Sequence, residues 1–89
     1  MRAKIVCLDF SKHVKSKQSL LSKKIYGYTD NSNNGRYSYE RPGILTPISK
    51  LILGKASFVI HEKDVEIITE ILKMDVIVKT YDISIKKWD

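Results

Sequence analysis

The sequence predicts a small single-domain α+β protein in which helices cover one face of a mixed or antiparallel sheet. Its 89 residues, 43% apolar and 9% aromatic, are enough for one hydrophobic core but not for two domains. In the first half, an asparagine- and glycine-rich segment separates two short alternating runs, which indicates a β-hairpin. In the second half, a helical pattern lies between two apolar runs, which indicates a strand, a helix and a strand. Residues 1–89 are therefore expected to form a single basic domain.

The first part of the chain is expected to hold a strand followed by a short or imperfect helix. Lys4–Phe10 carries apolar residues at successive positions, so both faces of this strand would be buried, as in a central strand. Ser11 can cap a helix that extends to Lys23, with Leu21 near its apolar face. The end of this stretch is ambiguous, because Leu21 and Ile25 fit the start of the next strand equally well.

The segment from Lys24 to Arg41 has the alternation and the turn residues of a β-hairpin. Asn34-Gly35 supplies the positive φ angles that a tight reversal requires. A register that opposes Thr29 and Arg36 gives three further pairs: Tyr28 with Tyr37, Tyr26 with Tyr39, and Lys24 with Arg41. Because alternate residues of a strand share a face, this register collects four tyrosines on one surface, with Lys24 and Arg41 at its far end.

Turn residues and apolar spacing predict the remaining elements: a turn at Arg41–Gly43, a short helix from Thr46 to Gly54, a strand over Ala56–Ile60, a helix over Glu62–Met74 and a strand over Asp75–Ile85. Along the final strand the apolar residues change from even-numbered to odd-numbered positions. A bulge near Lys79 and Thr80 would keep them on one face of the sheet. The last strand, helix and strand can form a right-handed crossover. The resulting order, β-α-ββ-(short α)-β-α-β, is nearest to a ferredoxin-like arrangement with an added element.

Positive charge is concentrated in the first part of the chain. The net charge is +6, but residues 1–55 carry eleven Lys and Arg against three acidic residues, a net charge of +8. Residues 56–89 carry five Lys against seven acidic residues, a net charge of −2. A positive region of this kind attracts phosphate polymers through counterion release, without sequence recognition. A solvated surface that binds nothing has the same composition, so both interpretations stay open.

Several classes of protein are excluded or disfavoured by the sequence. Cys7 is the single cysteine, which excludes an internal disulfide and a multi-cysteine zinc site. The apolar run near residue 5 is too short for a signal peptide or a membrane span, so a soluble cytoplasmic protein without a membrane partner is expected. The chain has no glycine-rich phosphate loop and no HExxH, GxSxG or CxxC motif. We expect neither a cofactor nor a metal.

The combination of tyrosines and cations favours a nucleic-acid-binding protein, with RNA favoured over DNA as the partner. Aromatic rings stack on unpaired bases while Lys and Arg contact phosphates, a combination typical of single-strand sites on open sheet faces. The predicted contacts lie in the hairpin and in the lysine-rich segment before it: Lys12, Lys15, Lys17, Lys23, Lys24, Tyr26, Tyr28, Arg36, Tyr37, Tyr39 and Arg41. The alternative for the tyrosines is structural, since cross-strand tyrosine pairs also stabilise sheets.

Two other functions fit the sequence. A small metal-dependent nuclease would use Asp9, near the end of the first strand, but no second carboxylate has a spacing that guarantees convergence with it. A non-enzymatic homodimeric interaction subunit would use apolar surface on the first and final strands and at Trp88. His13 and His61 are each expected to be surface or capping residues rather than an acid–base pair. Binding is therefore favoured over catalysis.

Overall fold

The computed structural model describes residues 2–32 and 34–86. Within these ranges the chain forms two helices and six strands: β1 (Arg2–Asp9), α1 (Lys15–Tyr26), β2 (Tyr28–Ser32), β3 (Tyr37–Arg41), β4 (Lys50–Gly54), β5 (Ser57–His61), α2 (Glu62–Leu72) and β6 (Ile77–Ser84). Four strands form a sheet in the order β4-β5-β1-β6, and β2 and β3 form a separate hairpin. Every pairing among the described strands is antiparallel, so the predicted α+β class is confirmed and its sheet is not mixed.

Both helices pack on one face of the four-stranded sheet. Alternation along the neighbouring strands β1 and β5 turns Val6, Leu8, Phe58 and Ile60 toward the same side. These four side chains share one core with the buried residues of the helices: Leu21, Ile25, Val65, Ile68 and Leu72. The sheet and helices therefore bury one continuous apolar surface, which provides the scaffold for the rest of the molecule.

The last third of the chain follows the predicted strand, helix and strand. β5 and β6 both run antiparallel to β1, which lies between them, so α2 connects two parallel strands. The helix has Glu62 and Asp64 in its first turn, where the positive end of the helix dipole favours acidic side chains. It ends at Leu72, two residues before the predicted boundary.

β6 pairs with β1 along its whole length without a register shift, so the predicted bulge near Lys79 and Thr80 is wrong. Val78 packs against the core, whereas Tyr81 lies on the opposite face of the sheet. The parity change in the sequence therefore reflects apolar residues on both faces of one regular strand.

α1 starts and ends about three residues later than the helix expected from the sequence, and Ser11 is not its N-cap. Leu21 and Ile25 are four positions apart and both buried, so the same helical face continues to Tyr26. Gly27 ends the helix with a φ of 80°, a value that glycine adopts without strain. Lys24 is consequently a helical residue rather than the start of a strand.

The later end of α1 shifts the hairpin, and the predicted register, which opposed Thr29 and Arg36, is wrong. The first strand starts at Tyr28 instead of Lys24. The chain reverses between Ser32 and Tyr37, through a turn two residues shorter than the predicted one, which includes Asn34 and Gly35, both with positive φ. The observed pairs are Tyr28 with Arg41, Thr29 with Glu40, Asp30 with Tyr39, Asn31 with Ser38 and Ser32 with Tyr37.

The predicted short helix from Thr46 to Gly54 is replaced by a turn and strand β4. Leu51 lies opposite Val59 of β5, and the pairing is irregular only near the end of β4. Local sequence favoured a helix start at the Thr-Pro pair, but antiparallel pairing with β5, which follows after a two-residue turn, decides the conformation.

Backbone contacts attach the hairpin to the end of α1. The N–H of Ile44 donates to the carbonyl of Lys24 at 3.0 Å, and the N–H of Leu45 donates to the carbonyl of Ile25 at 2.9 Å. The two segments approach so closely that a Cβ atom on Gly43 would overlap the Ile25 carbonyl. The position of the hairpin relative to the scaffold is thus determined at its base.

The hairpin extends away from the scaffold. The radius of gyration of the Cα atoms is 14.4 Å, whereas a compact domain of this length is expected near 12 Å, that is about 2 Å less. None of the described residues of β2 or β3 is buried. The side chains of this ribbon are therefore not part of the hydrophobic core.

Candidate nucleic-acid interface

One face of the hairpin carries three exposed tyrosines. Tyr28 pairs with Arg41, and Tyr39 and Tyr37 lie two and four positions before Arg41 on β3, so all four side chains are on the same side. Tyr28 is 40% exposed, Tyr37 52% and Tyr39 51%. We call this surface, formed by Tyr28, Tyr37, Tyr39 and Arg41, the hairpin face. Asp30, the partner of Tyr39, lies on the same side.

Two cations lie beside these rings. The Nζ atom of Lys23 is 5.0 Å from the centre of the Tyr28 ring, and the guanidinium carbon of Arg41 is 5.8 Å from the centre of the Tyr39 ring. Both distances are within the range of cation–π attraction. Arg41 also donates to the Asp30 carboxylate at 3.1 Å, but this pair is exposed and contributes little stability. A base stacked on Tyr28 would have its phosphate close to the charge of Lys23. The charge of Arg41 is partly neutralised by Asp30.

The other face of the hairpin holds the two strands together with polar contacts. Thr29 donates a hydrogen bond to Glu40 at 2.9 Å, and Ser38 donates one to Asn31 at 2.9 Å. These cross-strand bonds and the backbone ladder do not involve the tyrosine rings. The rings of the hairpin face are therefore available for a ligand.

Tyr26 does not belong to the hairpin face. It is the last residue of α1, and its ring packs edge-on against Phe58 of the core, with 6.2 Å between ring centres. Its hydroxyl is buried with no hydrogen-bond partner among the described residues, and burial raises the pKa of Tyr26. The structure thus places Tyr26 with the core at the base of the hairpin.

Replacing Tyr26 with phenylalanine tests this placement. The substitution removes a buried polar group that has no partner, so we expect the free energy of unfolding to rise by about 1 kcal/mol. Urea denaturation measures the change. Tyr81→Phe, which removes an exposed hydroxyl, is the control and should change nothing. A loss of stability in Tyr26→Phe would show that the hydroxyl is hydrogen-bonded.

Lys24 is also directed away from the predicted site. Its Nζ donates to the Asp75 carboxylate at 2.8 Å, near the loop that connects α2 to β6. This hydrogen bond lowers the pKa of Asp75, and the positive charges of Lys24, Lys17 and His13 add to the effect. Lys24 therefore neutralises a carboxylate of the scaffold and does not border the tyrosines.

The other predicted cations are spread over the surface formed by the first half of the chain. Arg36 is exposed in the turn of the hairpin, and Lys12 and Lys17 are exposed near the start of α1. Lys15 begins α1 and lines a groove together with Lys23 and Lys55. Lys55 was not among the predicted contacts, because it is more than thirty positions from Lys15 and Lys23 in the sequence and carries no local signal.

Asp9 lies at the end of β1, an internal strand of the sheet, as predicted. Its carboxylate accepts a hydrogen bond from the backbone N–H of Ser11 at 2.8 Å. Hydrogen bonding by the Ser11 side chain and then by this backbone N–H, aided by the nearby Lys79 and Lys12, lowers the pKa of Asp9. Among residues 2–32 and 34–86, no group of three or more His, Cys, Asp and Glu side chains is arranged to hold a metal ion. Metal-dependent cleavage through Asp9 stays a hypothesis.

No protein-family model, curated protein or solved structure matches this chain. In the described part of the chain, no helix has the length and apolar character needed to span a membrane. Function must therefore be inferred from the arrangement of the side chains.

Proposed function

We propose that this protein binds single-stranded nucleic acid, with RNA favoured over DNA, through the hairpin face. The observation that carries the proposal is the grouping of three exposed tyrosines on one side of a protruding ribbon, with Lys23 and Arg41 at cation–π distance. Each base stacked on an aromatic side chain contributes about 1–3 kcal/mol, and this contribution tolerates any base. Unpaired bases are accessible to such rings, whereas bases inside a duplex are not.

The charge distribution supports the same ligand. The hairpin and α1 belong to the part of the chain with a net charge of +8. The acidic side chains of α2, among them Glu62, Glu66 and Glu70, lie on a different element. A phosphate backbone would therefore be attracted to one region of the surface rather than to the protein as a whole.

The scaffold under this surface also belongs to the proposal. We infer that β1, α1, β4, β5, α2 and β6 form a ferredoxin-like unit into which the β2–β3 hairpin is inserted, on the basis of the strand order β4-β5-β1-β6. In this description the hairpin is an addition to a complete core, so it can be specialised for binding without a cost to folding. Cytoplasmic location stays a prediction.

A titration with labelled oligonucleotides tests the proposal. We expect oligouridine of about 12 nucleotides to bind, and its affinity to fall about 20- to 100-fold between 50 and 200 mM salt if three to five phosphates are contacted. Fluorescence anisotropy measures both affinity and salt dependence. A duplex of the same length and a matched DNA single strand are the controls, and both should bind more weakly. Absence of binding at low salt, or tighter binding of the duplex, would refute the proposal.

Self-association is a second candidate function, because the sheet has an apolar row on the face opposite the helices. Leu51, Val59, Ile5 and Tyr81 are consecutive cross-strand neighbours on β4, β5, β1 and β6. The row contains no charged side chain, so two copies of this chain can stack face to face through it without burying a charge. The proposed contact at Trp88 lies outside the described residues.

Light scattering coupled to size-exclusion chromatography distinguishes a dimer of this protein from a monomer. A dimer at about 100 µM that dissociates in Tyr81→Lys would support self-association, since a lysine in the row places a charge in the contact. A monomer at every concentration would exclude it and would leave nucleic-acid binding unaffected.

A further inference from the structure

A second feature of the basic surface is a groove of about 540 Å³ between α1 and the turn that joins β4 to β5. One wall is a polar stripe of α1 with the helical spacing i, i+3, i+4, i+7 and i+8, formed by Lys15, Gln18, Ser19, Ser22 and Lys23. Every one of these side chains carries a hydrogen-bond donor. Gln18 uses one of its N–H groups to bind the backbone carbonyl of His13 at 2.8 Å.

Lys55 forms the opposite wall. It lies in the two-residue turn between β4 and β5, and the neighbouring carbonyl of Ala56 accepts a hydrogen bond of 2.7 Å from the N–H of Leu8. This bond fixes the turn against the end of β1. Phe10, which packs partly against the core, completes the lining. The lysine therefore stands on a fixed turn and not on a mobile loop.

The groove has positive charge that nothing in the described structure neutralises. No acidic residue lines it. Lys4, Lys24 and Lys73 form ion pairs with carboxylates, but none of the ion pairs among the described residues involves Lys15, Lys23 or Lys55. Three cations around one concavity repel each other, and an anion placed between them removes this repulsion.

The sequence of α1 shows the same imbalance. Its first turn contains no acidic residue and starts with Lys15, although the positive end of a helix dipole favours acidic side chains there. α2, by contrast, has Glu62 and Asp64 in its first turn. Lys15 is therefore unfavourable for the helix at this position, whereas Lys23 in the last turn suits the negative end of the dipole. An anion in the groove would offset the unfavourable charge of Lys15.

Lys23 connects the groove to the hairpin face. It lines the groove, and its Nζ lies 5.0 Å from the centre of the Tyr28 ring. We infer that the groove binds phosphate groups of the strand whose bases stack on the hairpin face, and that Lys55 is one of the binding residues. This inference rests on the proposed function as far as the bases are concerned. Lysines act as point charges at phosphates, so the groove reads no sequence.

Two probes distinguish phosphate binding in the groove from base stacking on the tyrosines. Inorganic polyphosphate has phosphates but no bases, whereas oligouridine has both. We expect Lys55→Glu to weaken the binding of both probes at least tenfold at low salt. Tyr37→Ala combined with Tyr39→Ala should weaken only the binding of oligouridine. Lys63→Glu, at an exposed position between Glu62 and Asp64 on α2, makes the same change in net charge and is the matched control.

The outcomes distinguish the inference from the function on which it rests. If Lys55→Glu changes polyphosphate binding no more than Lys63→Glu does, the groove is not a phosphate site, even if oligouridine binds. If polyphosphate binding depends on Lys55 but oligouridine does not bind, the groove is supported and the proposed function fails. If Lys55→Glu does not fold, Lys55→Gln replaces it in the comparison with Lys63→Glu, since the Gln variant removes the charge without reversing it.

A further variant, Lys15→Glu, is expected to change stability and binding in opposite directions. Placing an acidic residue in the first turn of α1 should raise Tm by about 1–8 °C. The same change should weaken polyphosphate binding at least tenfold. Equal polyphosphate affinity in Lys15→Glu and in the unmodified protein would contradict the inference.

Discussion

Replacing Tyr37 and Tyr39 together with alanine is expected to weaken the binding of single-stranded RNA by at least about 30-fold, which corresponds to the loss of about 1 kcal/mol from each of two stacked bases. The two rings lie two positions apart on β3 and are each about half exposed. They are the part of the hairpin face farthest from α1, and Tyr28 is the ring that remains on this face in the double variant. Fluorescence anisotropy with oligouridine measures the loss.

The fold of this double variant should be unaffected, because neither side chain belongs to the core. Tyr81→Ala is the matched control: it removes a tyrosine of similar exposure, 54%, from β6, on the opposite face of the sheet from the helices. Circular dichroism and thermal unfolding verify the fold. Unfolding of the double variant would mean that the rings stabilise the protein, and an affinity equal to that of Tyr81→Ala would mean that they bind no RNA.

Replacing Gly43 with alanine is expected to lower the free energy of unfolding by about 1–3 kcal/mol, in the range of overpacked sites. The added Cβ would overlap the backbone of Gly27 and the carbonyl of Ile25, and backbone cannot move aside as a flexible side chain does. The contact occurs where residues 44 and 45 donate hydrogen bonds to the end of α1. Relief of the overlap therefore requires the hairpin base to separate from the helix.

Gly54→Ala is the control for this substitution. A Cβ atom at Gly54 meets nothing within 4 Å, so the same change in backbone freedom is made without an overlap. Urea denaturation compares the two variants. Equal stability of Gly43→Ala and Gly54→Ala would show that the hairpin base is not closely packed, and that its position relative to α1 is variable.

The sequence allowed correct prediction of the elements whose stability depends on local spacing. The stripe of Val65, Ile68 and Leu72 marks one face of α2, and acidic residues in its first turn mark its start. The run of apolar residues in β1 likewise indicated an internal strand, and positive φ at Asn34 and Gly35 agrees with the turn. In each case the signal and the structure lie within a few residues of each other.

The predictions from sequence were wrong where contacts between residues far apart in the chain determine the local conformation. Leu21 and Ile25 fit either a helix or a strand, and their burial under the sheet selects the helix. That choice moved the start of β2 and, with it, the whole register of the hairpin, because one shifted boundary changes every cross-strand pair. Three of the four tyrosines still share a face, since Tyr28, Tyr37 and Tyr39 kept their alternation.

The groove illustrates a further limit of prediction from one sequence. Its cations come from α1 and from the β4–β5 turn, and the latter was expected to connect a short helix to a strand. Only the pairing of β4 with β5 brings Lys55 opposite Lys15 and Lys23. Charge segregation indicated a basic region, but the position of the groove depends on the tertiary fold.

The most direct test of base stacking is a titration of the tyrosine rings followed by NMR. With ¹³C-labelled tyrosine and unlabelled oligouridine, ring currents of stacked bases should shift the ring protons of Tyr28, Tyr37 and Tyr39, while those of Tyr26 and Tyr81 stay in place. Shifts confined to Tyr26 or Tyr81, or no shifts at saturating oligouridine, would contradict the claim that the hairpin face binds unpaired bases.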